Sequence, residues 1–488
     1  MVAVISLVFF IATNLASLNQ NDFMYAVAPA VWAQNGALYT NVPFPQAPLS
    51  ILLNSLLVAV TGNVNVFLPA RIVSMLLVLL AVLLPVLNRS KIRNIEIWVL
   101  YVALCLTNFV ILSNSREIGN YALSLLCLSA AVTVINAPGS VMWRGFIACA
   151  CAGLAASAKL YFVIMCPALF LFFLLKERHA RDSAVIAVCG LGFLLGLAPI
   201  FYFLARDYQS FWHWNVGFFR LIMPLRLAGA ADALHRIANI LLVFVVLMAI
   251  PIGFFFVTIR DAWRRGGVEL PEKFAELLLL TAAGVMAISP IILYAQYFGP
   301  LAFLLLLFSA PWHSTANQPR SLYVIFAGAM LCVQCVLLAE MFGPDIVQRK
   351  LAVVEVLNVQ NKARQIVVNG YSCERKLYAT APLFLLENEV KYPPEFAAGP
   401  FLMFFLRGEV LARKGESFDL DARIKKWNPD IAIWGYHVGS SDPAEDAVDR
   451  FIRDYAIDHG FVVTSLGVVD GHAIELGYRA GCKTPPRP

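Results

Sequence analysis

The sequence predicts an α-helical polytopic membrane protein of about eleven transmembrane helices, ending in a small C-terminal α/β domain. Three observations predict it. Hydrophobic residues make up 60% of the chain and charged ones 14%, with mean hydropathy +0.73, where a soluble globular chain carries about 25% charged residues. Apolar runs recur from the start of the chain to about residue 342, many of them close to the length a bilayer core of roughly 30 Å demands. From about Gly343 the composition turns to that of a soluble domain with short alternating segments. The division is therefore a transmembrane domain over 1–342, with a first extracytoplasmic loop at 17–65, and a soluble domain over 343–488.

The first apolar run, 1–16, has no positively charged segment before it, so it reads as a retained first helix rather than a signal peptide. At 1.5 Å per residue it reaches about 24 Å. A polar stretch follows at 17–50, SLNQNDFMYAVAPAVWAQNGALYTNVPFPQAPLS, in which Asp22 is the one formally charged residue. It reads as a loop. The run 51–60 is too short to span and reads as an interfacial or re-entrant helix. Spans are expected at 66–87, 95–113, 118–135, 143–157, 160–175, 184–204, 237–257, 274–293, 299–311 and 321–341.

The loops orient this arrangement. Those at 88–94, 136–144, 176–183, 258–273 and 312–320 hold about twelve lysines and arginines, against about six in the opposite set. The positive-inside rule then places the N-terminus in the cytoplasm, and the first loop and the C-terminal domain outside, in the periplasm of an inner-membrane protein. The net charge of +6 and pI near 8.7 are accounted for by this topological bias. A basic patch with interleaved aromatics is absent, so nothing points to nucleic acid.

In the C-terminal region QIVVNGY, KLYATA and DIAIWGY read as short strands. AEDAVDRFIRDYAIDHG reads as an amphipathic helix, with Ser441/Asp442 at its start and Gly460 at its end. FVVTSLGVVDGHAIELGY reads as a hairpin turning at Asp470-Gly471. Eight of the ten cysteines lie in apolar stretches and read as core filler. Cys373 and Cys482 lie in the polar region, where they either pair, if that region is extracytoplasmic, or stay free. Internal repeats and low-complexity tracts are absent.

Several residues could carry chemistry. Asp22, where a membrane helix gives way to a polar stretch, is costly to keep beside a bilayer and could act as a general base. Arg71 inside an apolar run and Lys159 between two are equally costly unless they meet an anion. With Arg116, Arg206, Arg220, Arg226 and Arg236 they form a cationic set suited to a phosphate, or to snorkelling among membrane lipids. The aromatic stretch 204–222, containing His213, suits a membrane-interface belt or a platform for a sugar or isoprenoid; His213 as a metal ligand lacks a second ligand at a recognisable spacing. Tyr25, Gln46, Tyr297 and His213 are the candidate cavity residues. No phosphate-binding glycine loop, HExxH motif, nucleophile elbow or CxxC array occurs. The expectation is no cofactor, with a divalent metal unsupported.

These residues together resemble the GT-C superfamily of polytopic glycosyltransferases, in particular bacterial relatives of protein mannosyltransferases and lipid A aminoarabinose transferases. The resemblance is carried by Asp22 with Tyr25 and Ala26, then by WAQNGALYTNVPFPQAPL with Gly36 and Pro48. Pro69-Ala70-Arg71, Ser115-Arg116, Gly153-Leu154-Ala155-Ala156 ahead of Lys159, and Gln296-Tyr297 ahead of Pro300 add to it. It covers roughly 1–340. It implies a polyprenyl-phosphate-linked sugar as donor, a glycan, lipid or protein as acceptor, and transfer at the outer face of the cytoplasmic membrane. Asp22 would be the base, with Arg71 and Lys159 at the donor phosphate. Two positions depart from the family's pattern: Phe23 stands where many relatives have a second acid, and Gln46-Ala47 precedes Pro48 where many have a charged residue or histidine. The departures leave the acceptor class open and weaken the case for a metal ion. The alternatives are a transporter or flippase for a lipid-linked substrate and a catalytically inactive relative.

Overall fold

The computed structural model describes residues 2–227 apart from 19, 88–94 and 117, short stretches between 244 and 263, and residues 270–288, 295–309, 317–348, 350–406, 419–437 and 443–482. It is mostly helical, with one small sheet near the C-terminus. Helices α1 (Val2–Ala16), α2 (Gln20–Asn35), α3 (Pro48–Thr61), α4 (Phe67–Leu87), α5 (Ile95–Thr107), α6 (Phe109–Ser115), α7 (Asn120–Ile135), α8 (Val141–Ala158), α9 (Met165–Lys176), α10 (Ser183–Gly196) and α11 (Ala198–Arg206) follow in order. Over the described residues the expected spans are helical; most of 237–257, the ends 289–293 and 310–311, the 88–94 loop and most of 258–273 lie outside them. Among the described residues, three helical runs are long and apolar enough to cross a membrane, and two bent pairs raise that to five.

The bent pairs correct two spans expected to be continuous. α5 and α6 meet at 66° because Asn108 interrupts them. Its side chain accepts from the backbone N–H of Val110 and Ile111, capping a new helix inside an apolar run. α10 and α11 meet at 57°, where Pro199 stands at the start of α11 and cannot extend α10. α8 and α10 pack with almost no side chain between them. A Cβ on Gly192 would lie 2.3 Å from the Phe146 carbonyl oxygen, and one on Gly196 2.3 Å from that of Ala150. Small residues let membrane helices approach this closely.

The stretch 17–50 is the main correction. It is not an open loop. Residues 20–35 form α2, with Pro29 inside it, and every residue from Asp22 to Val31 is buried. Its Ala and Met residues favour a helix, and burial comes from contact on two sides. One side is the bundle. The other is the C-terminal domain, whose Gly399 takes φ 58° and presses its backbone on Met24. The Gln34 side chain donates to the Val390 carbonyl and accepts from the Tyr392 N–H at 2.6 and 3.0 Å. α3 begins at Pro48 and closes on Gly62, left-handed at φ 66°.

The helix Asn317–Val347 is 31 residues long, about 46 Å, and outreaches a bilayer core. It carries the chain unbroken through the composition change near Gly343. QIVVNGY is helical, not a strand: it completes Ala352–Gly370. Val356, Val359, Ala363 and Val367 form a buried stripe at helical spacing, and packing that stripe on the sheet overrides the β-propensity of Ile-Val-Val.

The sheet runs β1 (Leu377–Ala379), β2 (Ile431–Trp434), β4 (His472–Arg479), β3 (Phe461–Val469), with β1 and β2 parallel and the rest antiparallel. The expected hairpin is present, Asp470 and Gly471 taking φ 51° and 82°, as a two-residue turn of the I′ kind requires. The amphipathic helix is Pro443–Asp458; its proposed caps Ser441 and Asp442 lie outside the described residues. Of the two options for Cys373 and Cys482, the structure has the disulfide.

Candidate functional site: a buried acid and two cations on one polar network

Asp22 stands in the first turn of α2, the positive end of the helix. Arg71, one turn into α4, donates from Nη1 to Asp22 Oδ2 at 2.5 Å, and both side chains are 0% exposed. The same guanidinium donates to the backbone carbonyls of Arg116 (2.5 Å), Asn14 (2.8 Å) and Ser17 (2.6 Å). Asn14 and Ser17 lie at the end of α1, where helix carbonyls have no partner within the helix. Arg71 thus ties the ends of α1 and α6 to the start of α2. Asp22 Oδ1 accepts from the Ile118 N–H at 3.1 Å. Arg116 donates from Nε to Ser17 Oγ at 2.5 Å and lies 4.9 Å over the Phe342 ring.

Lys159 forms a second centre. It is the extended residue (φ −145°, ψ 112°) between α8 and the 3-10 turn Leu160–Ile164, and it is 5% exposed. Its Nζ donates to Gln46 Oε1 at 2.8 Å and lies 4.5 Å over the Tyr121 ring and 5.2 Å over that of Tyr161. Tyr297 packs on both rings with centroids 5.7 Å away. The Gln46 carbonyl accepts from the Tyr39 hydroxyl at 2.7 Å.

A short segment joins the two centres. Ile118 donates to Asp22, Gly119 N–H donates to Ser74 Oγ at 2.8 Å, and Asn120 Nδ2 donates to both the Tyr25 hydroxyl and Gln46 Oε1. Gly119 takes φ 107°, a conformation L side chains rarely adopt. Acid and amine are therefore linked through Ile118–Asn120 and Gln46.

The structure thus brings together Asp22, Tyr25, Gln46, Arg71, Arg116, Lys159 and Tyr297. Both terminal nitrogens of Arg71, expected at the donor phosphate, donate here to protein acceptors, Asp22 among them. Arg206 and Arg220 are exposed, and Arg206 Nη1 donates to the Tyr202 hydroxyl at 3.3 Å; neither joins this network. The Arg226 side chain and Arg236 lie outside the described residues. His213 opens a π-helical turn, His213–Gly217, against the Trp214 ring. Among the described residues no group of three or more His, Cys, Asp or Glu is placed to hold a metal ion. Asn14, Asn120, Tyr121 and Tyr161 were missed at the sequence level. The available signal was Asn108, Asn114 and Asn120, three amides recurring within apolar runs and all buried.

No protein-family model and no curated protein matches this sequence. Solved structures do. ArnT from Cupriavidus metallidurans superposes in its apo state with TM-score 0.58 at 13% identity, over 99% of this chain and 98% of that one. The chain has the ArnT fold. ArnT bound to undecaprenyl phosphate gives TM-score 0.57 at the same identity and coverage. The Archaeoglobus fulgidus oligosaccharyltransferase tethered to an acceptor peptide gives 0.46 at 12% identity, over 97% of this chain and 73% of that one. The likeness to ArnT takes in the C-terminal domain, which the sequence-level resemblance over 1–340 left out.

Proposed function

We propose that this chain is a glycosyltransferase that takes a sugar from a polyprenyl-phosphate donor at the outer face of the cytoplasmic membrane. One observation carries the reading: within the ArnT fold, a buried carboxylate and a buried amine occupy one hydrogen-bonded network at the junction of α2, α7 and α8. In the proposed step Asp22 accepts the proton of an acceptor hydroxyl. The freed oxygen attacks the anomeric carbon, and the carbon–oxygen bond to the phosphate breaks. Its electron pair leaves with the polyprenyl phosphate, and Lys159 stabilises the charge developing there. A single displacement inverts the anomeric centre. Arg71 holds the Asp22 carboxylate in place, and its permanent charge balances it inside the bundle. Gln46, Tyr121, Tyr161 and Tyr297 shape the chamber around the amine. No resident cofactor enters the step, so a chelator should leave transfer unchanged.

The full engagement of Asp22 by Arg71 and Ile118, with no exposure, favours a second reading: an inactive relative in which the pair is a structural tie. One assay separates them. Purified protein is supplied with a panel of undecaprenyl-phosphate sugars and membrane acceptors. Wild type should transfer, and Asp22→Asn should lose at least about a hundredfold, the scale of a lost general base. Lys159→Gln, which leaves the Asp22–Arg71 pair intact, guards against misfolding and should also lose transfer. Equal rates in all three would remove both residues from the mechanism, and no transfer by wild type across the panel would favour the inactive relative.

A further inference from the structure

Beyond this activity, we propose that the segment from α11 to Arg220 is a docking surface for the anionic headgroup layer of the surrounding membrane. The segment is two-faced. Ile200, Phe203 and Phe211 are buried, with the Phe203 and Phe211 rings 5.3 and 5.0 Å from that of Tyr39. Phe201, Tyr202, Tyr208 and Trp212 point the other way, 44, 58, 59 and 46% exposed. Tyr208 and Trp212 stand one turn apart on the short helix Tyr208–Trp212, with their rings stacked. Four large rings left exposed along one short segment are not a packing arrangement for water.

Position and charge identify the occupant. α10 is apolar, and α11 leaves it at 57°, so the ladder begins where a membrane helix turns away from its axis. Tyrosine and tryptophan concentrate at that depth, where their rings meet lipid and their polar tips meet headgroups. Arg206 and Arg220 flank the ladder and are exposed. The sole acid of the segment, Asp207, is engaged by Thr40 Oγ1 at 2.8 Å and the Ser210 N–H at 3.0 Å. Two arginines against this one acid leave the segment aromatic with a net positive charge, the complement of an anionic lipid surface. Its inner side is joined to the network described above. Trp214 Nε1 donates to the Tyr39 carbonyl at 2.9 Å, and the Tyr39 hydroxyl donates to the Gln46 carbonyl. Seating this face on headgroups fixes the depth of the loop that holds Gln46 against Lys159.

The test uses full-length protein in nanodiscs of phosphatidylcholine with about one quarter phosphatidylglycerol, and is independent of any transfer activity. Trp212→Phe removes one of nine tryptophans. It should lower the emission quenched by phospholipids spin-labelled near the headgroup and leave iodide-quenched emission unchanged. Arg206→Gln with Arg220→Gln should reduce co-purifying phosphatidylglycerol, relative to phosphatidylcholine, at least about threefold; Arg144→Gln serves as the control. Quenching of Trp212 by iodide alone would mean the face looks onto water and would overturn the proposal. Quenching by neither agent would mean that protein, such as a second copy, covers it, with the same consequence. Unchanged phosphatidylglycerol in the double variant would also overturn it.

Discussion

Gly399 of the C-terminal domain sits so close to Met24 of α2 that a Cβ on it would lie 2.1 Å from the Met24 Cβ and 2.6 Å from its Cα. Met24 falls between Asp22 and Tyr25, so the C-terminal region bears directly on the helix that supplies both. The backbone of Gly399, φ 58° and ψ −126°, is one that L side chains rarely adopt. Gly399→Ala should therefore lower Tm by at least about 4 °C, the combined effect of strain and displacement. Hydrogen exchange in 20–35 should rise more than in β2 and β4. Unchanged exchange in α2 would show that the domain does not restrain it.

Arg71 and Asp22 should behave as one unit. Removing one member of a buried ion pair costs about 3–5 kcal/mol because the other is left uncompensated. Arg71→Met alone and Asp22→Asn alone should both be strongly destabilised in thermal unfolding. The double variant should recover a large part of the loss while transfer stays absent. Additive losses would mean that the pair is not energetically coupled.

The α8–α10 contact makes a clean comparison within one helix. Gly196 meets the Ala150 carbonyl oxygen at 2.3 Å from a would-be Cβ, whereas nothing lies within 4 Å of one on Gly190. Gly196→Val should drive the helices apart and sharply reduce the yield of monodisperse protein. Gly190→Val should leave yield and Tm near wild type. Equal behaviour of the two variants would show that close backbone approach does not hold this pair.

Asp449 predicts a pH dependence for the C-terminal domain. Its oxygens accept from the Thr380 hydroxyl and the N–H groups of Gly435 and His437. Burial nonetheless outweighs these bonds and raises its carboxyl above the usual range. A group that holds its proton more tightly when folded makes the folded state bind more protons in that window, so stability falls as pH rises through it. Burial moves Glu387 and Glu395 the same way. Glu374, hydrogen-bonded by Lys376, is shifted down and acts oppositely at lower pH. Unfolding followed from the ordinary carboxylate range upward should show a falling Tm, and Asp449→Asn should flatten the fall. An unchanged slope in the variant would exclude Asp449 as its source.

The sequence by itself determined the membrane character, the order of apolar helices, the hairpin at Asp470-Gly471 and the candidate status of Asp22, Gln46, Lys159 and Tyr297. The membrane character, the helices, the hairpin and the charged candidates follow from composition, local periodicity or the cost of a charge beside lipid, all local properties; Gln46 and Tyr297 follow from their loops and the family resemblance. Tertiary structure decided the rest. The stretch 17–50 looked like a solvated loop because it is polar, and only contact with the bundle on one side and the C-terminal domain, more than 350 residues away at Gly399, on the other makes 20–35 a buried helix. Arg71 stood out in sequence as a costly cation in an apolar run, and only the fold shows four protein acceptors converging on it. Arg206 and Arg220 resembled it in sequence yet ended on the exterior. Ile-Val-Val at 366–368 favoured a strand until the stripe from Val356 to Val367 met a sheet. In every case the deciding partner is distant along the chain, and the free energy of the contact depends on where that partner sits rather than on the residue's own preference.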